Sequence, residues 1–307
     1  MKRAQLKLCN IGQLTTIDRK YFDNESLGFI IMVVIESAGV TDIGRKRKNN
    51  EDSFLLDNDL GLYVVADGMG GHLAGEVASK LVVDTVWDNV KRFKEDEDAN
   101  ELEDVEETLS KEANRLLSGI KLANQGVYQT AQSIESYRGM GSTLSAVYFT
   151  DKTFIVANVG DSPIYLVHDG SIELISVIHN VMAEQAAIDP NEAELLGEKF
   201  KHMLTRAIGV EEEVEADICE NQYFKGDILA ICSDGLSDKV SSDEILDVVR
   251  NERPAKACQT LVDLANERGG DDNITVIVIK VKNSKHEKGG IMGMISRIIY
   301  SLKKIFY

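Results

Sequence analysis

Ser53-Phe54-Leu55-Leu56-Asp57-Asn58-Asp59-Leu60-Gly61-Leu62-Tyr63-Val64-Val65-Ala66-Asp67-Gly68-Met69-Gly70-Gly71-His72 is the stretch on which the fold turns. Two short apolar runs, Phe54-Leu56 and Leu62-Ala66, flank Asn58-Asp59-Leu60-Gly61. That arrangement predicts an antiparallel hairpin, because the intervening residues favour a turn and the flanking ones favour strands. The second run ends on an aspartate followed by glycines. From Ala74 to Val90 the spacing then becomes helical, with Ala74, Val77, Ala78, Leu81, Val82 and Val86 on one face.

Outward from the hairpin the pattern continues in blocks. Met32 to Val40 reads as a first strand, and Met32 is a candidate start, which makes residues 1–31 an N-terminal extension. A second helical segment is expected from about Glu101 to Gln132, led by an acidic run from Glu95 to Glu107 whose default is a solvated face or loop. Leu144-Phe149, Phe154-Val159, Ile164-Val167 and Ile172-Ile175 are strand-like, with tight turns that favour antiparallel pairing. Residues 178–213 look irregular and partly helical. Strand signals return at Ile228-Cys232 and Ile274-Val281, with helical stretches near Ser242-Arg250 and Ala255-Glu267. Strands in runs and helices in runs predict a layered α+β domain rather than alternating βαβ units. That domain is expected over residues 32–283, followed by a tail at 284–307.

The formal net charge of −17 argues against nucleic acid as a partner, since phosphate backbones recruit basic surfaces. Four cysteines, Cys9, Cys219, Cys232 and Cys258, show neither Cys-x-x-Cys spacing nor an arginine six residues on. Zinc-ribbon, redox and cysteine-phosphatase chemistries therefore lack their motif, and buried thiols in a reducing compartment are expected. No apolar run is long enough to span a bilayer, and a cytoplasmic location is expected.

Acidic residues recur beside glycine where strands end. Asp67 precedes Gly68, Asp161 follows Gly160, Asp234 precedes Gly235, and Asp272 lies just after Gly269-Gly270. One Asp-Gly after a strand is ordinarily a turn. Several at strand ends can converge on one rim, where their charges repel unless a cation neutralises them. Oxygen ligands without paired Cys or His select hard ions such as magnesium or manganese. Asp42 to Ser53 adds a basic turn to an acidic chain, and an arginine beside such a rim suits a phosphate dianion.

Thr41-Asp42-x-Gly44-x-x-Arg47-x-x-Asn50-Glu51-Asp52-Ser53, Ala66-Asp67-Gly68-Met69-Gly70-Gly71-His72, Gly139-Met140-Gly141-Ser142-Thr143-Leu144, Val159-Gly160-Asp161-Ser162, Leu204-Thr205-Arg206-Ala207-Ile208-Gly209, Ser233-Asp234-Gly235-Leu236 and Asp272-Asn273-Ile274-Thr275-Val276 occur in that order. Together they resemble the bacterial branch of the metal-dependent type 2C (PPM-type) serine/threonine protein phosphatases, over roughly Val34 to Val281. The resemblance implies a β-sandwich of two antiparallel sheets with helices on both outer faces. It implies a pair of manganese or magnesium ions held by Asp67, the Gly68 carbonyl, Asp234 and Asp272, with a third, weaker ion at Asp161. Glu51 and Asp52 match residues that orient metal-bound water, Arg47 matches the phosphate-binding position, and Asn273 is expected to hydrogen-bond behind the last ligand. The implied activity is hydrolysis of phosphoserine and phosphothreonine in proteins by an activated water, without a phosphoenzyme, opposing a serine/threonine kinase. A catalytically silent relative acting as a binding or scaffold module is the alternative, but such a protein is expected to lose metal carboxylates, and these are present.

The sequence departs from the family pattern in places. Met69 stands where eukaryotic relatives carry a histidine; His72 is a candidate proton donor, against a structural role at a helix start. Val177-Ile178-His179-Asn180-Val181 departs from the usual Asp-His-Ser at the start of the region resembling the family's flap. From Ile291 to Tyr307 apolar residues share one helical face while Arg297, Lys303 and Lys304 lie away from it. Docking on an anionic membrane surface, docking on a partner protein, and packing on the domain itself are the three readings of that tail. The first places the protein peripherally at the inner face of the membrane.

Overall fold

The structure is a computed structural model describing residues 33–70, 74–95, 105–151, 153–197 and 200–283. The expectations for residues 1–31, for Met32, for His72, for most of the acidic run and for the 284–307 tail lie outside the described residues.

Eleven strands are described: β1 Val34–Asp42, β2 Asp52–Asp57, β3 Leu62–Met69, β4 Gly141–Ser142, β5 Leu144–Phe149, β6 Thr153–Val159, β7 Ile164–His168, β8 Ser171–Leu174, β9 Asp217–Gln222, β10 Ile228–Cys232 and β11 Ile274–Asn283. One sheet runs β1-β11-β10-β7-β8; the other runs β2-β3-β5-β6-β9, with β4 paired to β3. Every pairing between these strands is antiparallel. The predicted hairpin is β2–β3, and its register sets Asp52 opposite Asp67.

Strand alternation explains the layers. On β3, Tyr63 and Val65 point into a core shared with Leu229, Ile231, Ile277 and Ile279 of the other sheet. Leu62, Val64 and Ala66 point the opposite way, onto helices α1 (Ala74–Glu95) and α2 (Lys111–Ser133). On β10 and β11, Ala230, Cys232, Val276 and Val278 face α5 (Asp234–Ser237), α6 (Ser242–Asn251) and α7 (Pro254–Glu267). Strands covered on both faces read as unbroken apolar runs, as Ile274-Thr275-Val276-Ile277-Val278-Ile279 does. The result is the four-layer α–β–β–α sandwich that the family resemblance implied, and a layered α+β domain as the patterning predicted. Burying each such aliphatic side chain contributes about 1.5–3 kcal/mol.

The structure corrects three details. Helix α2 begins at Lys111, not near Glu101, because the Ser110 side chain caps it by accepting from the Ala113 N–H. Strand β4 is only two residues long and left no periodic signal. Strand β9 is an edge strand in which Ile218 is the one buried residue, so its alternation was too faint to read. Cys232 and Cys258 are buried thiols as expected, and burial pushes the Cys258 thiol up to about 12. Cys219 is only partly buried. Residues 178–213 contain two short helices, α3 (Val181–Ile188) and α4 (Pro190–Leu195). No helix among the described residues is long and apolar enough to cross a membrane.

Candidate active site

A cleft of 1380 Å³ opens along one rim of the sandwich, and Arg47, Glu51, Asp67, Asp161, Asp234 and Asp272 all line it. The backbone of Gly68 lines it too. These residues come from opposite layers: Asp67 lies near the end of β3 in one sheet, while Asp234 follows β10 and Asp272 precedes β11 in the other. Close packing enforces the convergence. A Cβ on Gly235 would lie 2.0 Å from the Asn273 carbonyl oxygen and 3.2 Å from the Asp272 Cβ, so only glycine lets the two loops meet. A Cβ on Gly75 would lie 2.2 Å from Glu51 Oε2 and 2.8 Å from the Gly68 carbonyl oxygen. The start of α1 therefore packs directly on the Asp67-Gly68 corner.

Asp52 and Asn273 hold the rim from beneath. Asp52 Oδ2 accepts from Ser233 Oγ at 2.8 Å and Thr275 Oγ1 at 2.6 Å, tying one sheet to the other. Asn273 donates from Nδ2 to the carbonyls of Ile43 and Asn49, both at 2.9 Å, and its Oδ1 accepts from the Glu51 N–H at 2.8 Å. It thus fixes both ends of the basic turn that carries Arg47. Arg45 and Lys46 N–H groups donate to the Gly270 carbonyl and complete that docking. Arg47 Nη2 reaches Asp272 Oδ2 at 2.7 Å, yet about half of its side chain remains exposed in the cleft. The Asp67 N–H donates to Thr143 Oγ1, and Ser142 Oγ donates to the Asp67 carbonyl.

The electrostatics are those of crowded anions. Burial, then repulsion from Asp52, Asp234, Asp272 and Asp161, holds the Asp67 carboxyl well above the usual carboxylate range. Burial first, opposed by its two hydroxyl donors, places Asp52 at about 7. Asp161 also sits at about 7, chiefly through burial and then through Asp234. Burial raises Glu51, with Arg47 opposing. Asp52 Oδ1 and Asp234 Oδ1 are buried and have no hydrogen-bond partner. Buried carboxylate oxygens are costly to leave unmatched, so an orphan on the rim at Asp234 and another just beneath it at Asp52 fit a cation. The donors are oxygen throughout, which suits magnesium or manganese.

The region resembling the flap is anchored beside this rim. His179 is buried; its N–H donates to the Gly160 carbonyl and its carbonyl accepts from the Thr205 N–H. Its Nε2 lies 2.7 Å from Asp217 Oδ2, which also accepts from Arg206. Three residues absent from the predicted site also belong here. Thr143 supports Asp67, and His202 lies 3.3 Å from Asp234 Oδ2 and 3.5 Å from Asp238 Oδ2. Asp238 was legible, being four residues after Asp234 on a helical turn. His202 sits in irregular sequence that gave no signal.

A profile described as Protein phosphatase 2C matches residues 43–270. The chain belongs to the protein phosphatase 2C family. It is 32% identical over 268 residues to protein phosphatase PhpP of Streptococcus pneumoniae, covering 82% of this chain and 100% of that one. The fold is similar to that of the Mycobacterium tuberculosis serine/threonine phosphatase PstP/Ppp, with a TM-score of 0.70 and 31% identity, covering 82% of this chain and all of the other. A structure of the PstP catalytic domain in complex with two manganese ions matches with a TM-score of 0.68 and 30% identity, again covering 82% of this chain and all of that one.

Proposed function

We propose that the chain hydrolyses phosphoserine and phosphothreonine esters in proteins, at a pair of manganese or magnesium ions held by Asp67, the Gly68 carbonyl, Asp234 and Asp272. One observation carries this reading. Carboxylates from both sheets crowd one cleft, with the buried Asp234 Oδ1 left unmatched, next to a half-exposed arginine. Bound there, divalent cations supply a water of lowered pKa and offset the charge of the phosphoryl group.

The protein's own groups do the rest. Arg47 presents a planar fork of donors to two phosphoryl oxygens, and its contact with Asp272 aims that fork at the rim. Asn273 keeps the Arg47 turn and Glu51 in place. Glu51 and Asp52 orient the attacking water, with Asp52 held by Ser233 and Thr275. Asp161 faces the same cleft and supplies a carboxylate for a third, weaker ion. The relative described as PhpP is a protein phosphatase, and the manganese-bound neighbour is the catalytic domain of a serine/threonine protein phosphatase. Both favour an active enzyme over a silent scaffold. By the same analogy phosphoproteins are the substrates and a serine/threonine kinase is the opposing partner.

The test is turnover of phosphothreonine and phosphotyrosine peptides with manganese, magnesium or chelator. Phosphothreonine hydrolysis that needs metal is expected, and Asp67→Asn or Asp234→Asn should abolish it with the fold intact. Near-normal turnover by either variant, or in excess chelator, would contradict the proposal.

A further inference from the structure

The cleft does not end at the carboxylate rim. A Cβ on Gly141 would lie 2.6 Å from Met69 Cε and 3.0 Å from Val210 Cγ2, so beyond Gly68 the floor passes directly from Met69 to Val210. There Leu117 and Lys121 of α2 line the cleft together with Glu211, Glu213 and Val214, and Glu106 lines it from just before α2. At 1380 Å³ the whole cleft exceeds the roughly 300–1,000 Å³ of an ordinary small-molecule pocket. It has room for a stretch of polypeptide, not only for one phosphorylated side chain.

Two buried asparagines of α2 build this end. Asn124 Oδ1 accepts from the Gly209 N–H at 2.7 Å, and its Nδ2 donates to the Glu211 and Glu212 carbonyls at 3.1 and 3.0 Å. Asn114 Oδ1 accepts from the Glu106 N–H at 2.8 Å, and its Nδ2 donates to the Glu106 carbonyl at 3.0 Å. Both side chains grip backbone, which fixes where the glutamates stand and leaves their carboxylates exposed. Charge sets this end apart from the rest of the cleft. Elsewhere Asp271 is answered by Lys46 and Lys239, Asp238 by Lys201, and Glu215 by Arg206, which also holds Asp217. No described cation pairs with Glu106, Glu211 or Glu213, and Lys121 is the single lysine of α2 lining the cleft beside them. These carboxylates do not sit on open surface. They continue the floor that carries the phosphoryl position, where the rest of a substrate chain has to lie.

We propose that Glu106, Glu211 and Glu213 form a specificity wall that selects phosphoprotein segments carrying lysine or arginine within a few residues of the phosphorylated side chain. The proposal rests on the phosphatase reading given above. Arg47 and the rim take the phosphoryl group, while the wall takes the ammonium or guanidinium groups beside it. Val210 and Val214 line the cleft next to the glutamates and offer apolar surface to the aliphatic stems of those side chains. Such a wall also answers a difficulty set by the net charge of −17, which repels phosphorylated proteins at large. Cations flanking the phosphate reverse that repulsion locally and steer the segment into the cleft.

The test compares kcat/KM of the full chain, in manganese, on phosphothreonine peptides of one sequence. They carry paired arginines, alanines or glutamates on the N-terminal or the C-terminal side of the phosphothreonine. On at least one side the arginine peptide should exceed the alanine peptide by about 2–25-fold, since each exposed ion pair is worth a factor of about 1.5–5. The difference should lie in KM and shrink as salt is raised. The combined substitutions Glu106→Gln, Glu211→Gln and Glu213→Gln should bring the ratio within about twofold of unity. Glu106→Lys, Glu211→Lys and Glu213→Lys together should invert it in favour of the glutamate peptide. Thermal melts identify any variant that has failed to fold, and the single glutamine substitutions then read the same ratio. Equal kcat/KM for arginine and alanine peptides on both sides, or a ratio unchanged by the glutamine substitutions, overturns the proposal. Metal-dependent turnover alongside such a result leaves the phosphatase reading standing. Binding of the arginine peptide without turnover, seen by fluorescence anisotropy and weakened by the glutamine substitutions, would leave the wall standing and remove that reading.

Discussion

Replacing Asn273 by alanine should unfasten the turn that carries Arg47 without removing any carboxylate of the rim. Its side chain is 4% exposed and makes three hydrogen bonds, two donated to the Ile43 and Asn49 carbonyls and one accepted from the Glu51 N–H. At about 0.5–1.5 kcal/mol net for each, the loss is about 3 kcal/mol. For a domain of this size 1 kcal/mol moves Tm by about 2–4 °C, so the variant should melt about 6–12 °C below the wild type. The functional effect should exceed what destabilisation explains. Arg47 and Glu51 lie on the freed segment, and loss of such a positioning residue costs about 10–100-fold in activity. Asn273→Asp separates the contributions, because it keeps the acceptor for Glu51 while losing both donors and adding charge next to Asp272. It should be at least as impaired as alanine. Thermal melts and kcat/KM on a phosphothreonine peptide decide the matter. A Tm within about 2 °C of wild type together with kcat/KM within about twofold would refute the bracing role.

Three further outcomes are expected. In chelator, Asp67→Asn should raise Tm, because it removes one of several mutually repelling carboxylates; the same substitution should erase the rise in Tm that manganese gives the wild type. Arg47→Ala should lower kcat/KM on phosphopeptides by about 10–100-fold, the equivalent of one charge-assisted hydrogen bond of about 1.5–3 kcal/mol, and Arg47→Lys should recover only part of it. Glu244 is held down to about 2 by Arg268, which meets it with two nitrogens at 2.6 and 2.8 Å, and by the Ser241 cap. Between that value and the ordinary 4.5 the unfolded chain binds the extra proton, so this stabilisation is complete above about 4.5 and disappears as pH falls towards 2. Urea midpoints of the wild type and Glu244→Gln should therefore converge as pH is lowered from 5 to 3, and a constant gap would exclude the ion pair as the cause.

The layers were legible because the central strands are buried on both faces and read as unbroken apolar runs, and because Asn58 to Gly61 punctuates the hairpin. Site positions were legible for a different reason: short carboxylates next to glycine mark places where a strand ends against another backbone. Gly44 shows the physical content of such a signal. Its φ is +79°, and a Cβ there would lie 2.1 Å from the Asp272 carbonyl oxygen, so the glycine records the docking of the basic turn on the Asp272 loop. What stayed hidden lacks local periodicity. Strand β9 pairs on one side only and exposes Glu220 and Gln222, so neither burial nor alternation announces it. His202 meets Asp234 across 32 residues of separation, on a segment whose two ends are joined by the Thr205 N–H donating to the His179 carbonyl.

The placement of the carboxylates also links metal binding to the packing of the whole domain. Asp67 comes from one sheet and Asp234 and Asp272 from the other, so the distance between them is set by the core in which Tyr63 and Val65 meet Ile231, Ile277 and Ile279. Just below the rim, Asp52 crosses from the first sheet to Ser233 and Thr275 of the second. Apolar burial and this clamp together hold several acidic groups close to one another, and burial first, with their mutual repulsion added, raises the Asp67, Asp52 and Asp161 carboxyls. A rim assembled against its own repulsion has little to reorganise when a cation arrives, because the core has already met the cost of bringing the ligands together. The sandwich is therefore part of the site: its inter-sheet spacing sets how tightly the rim can grip an ion.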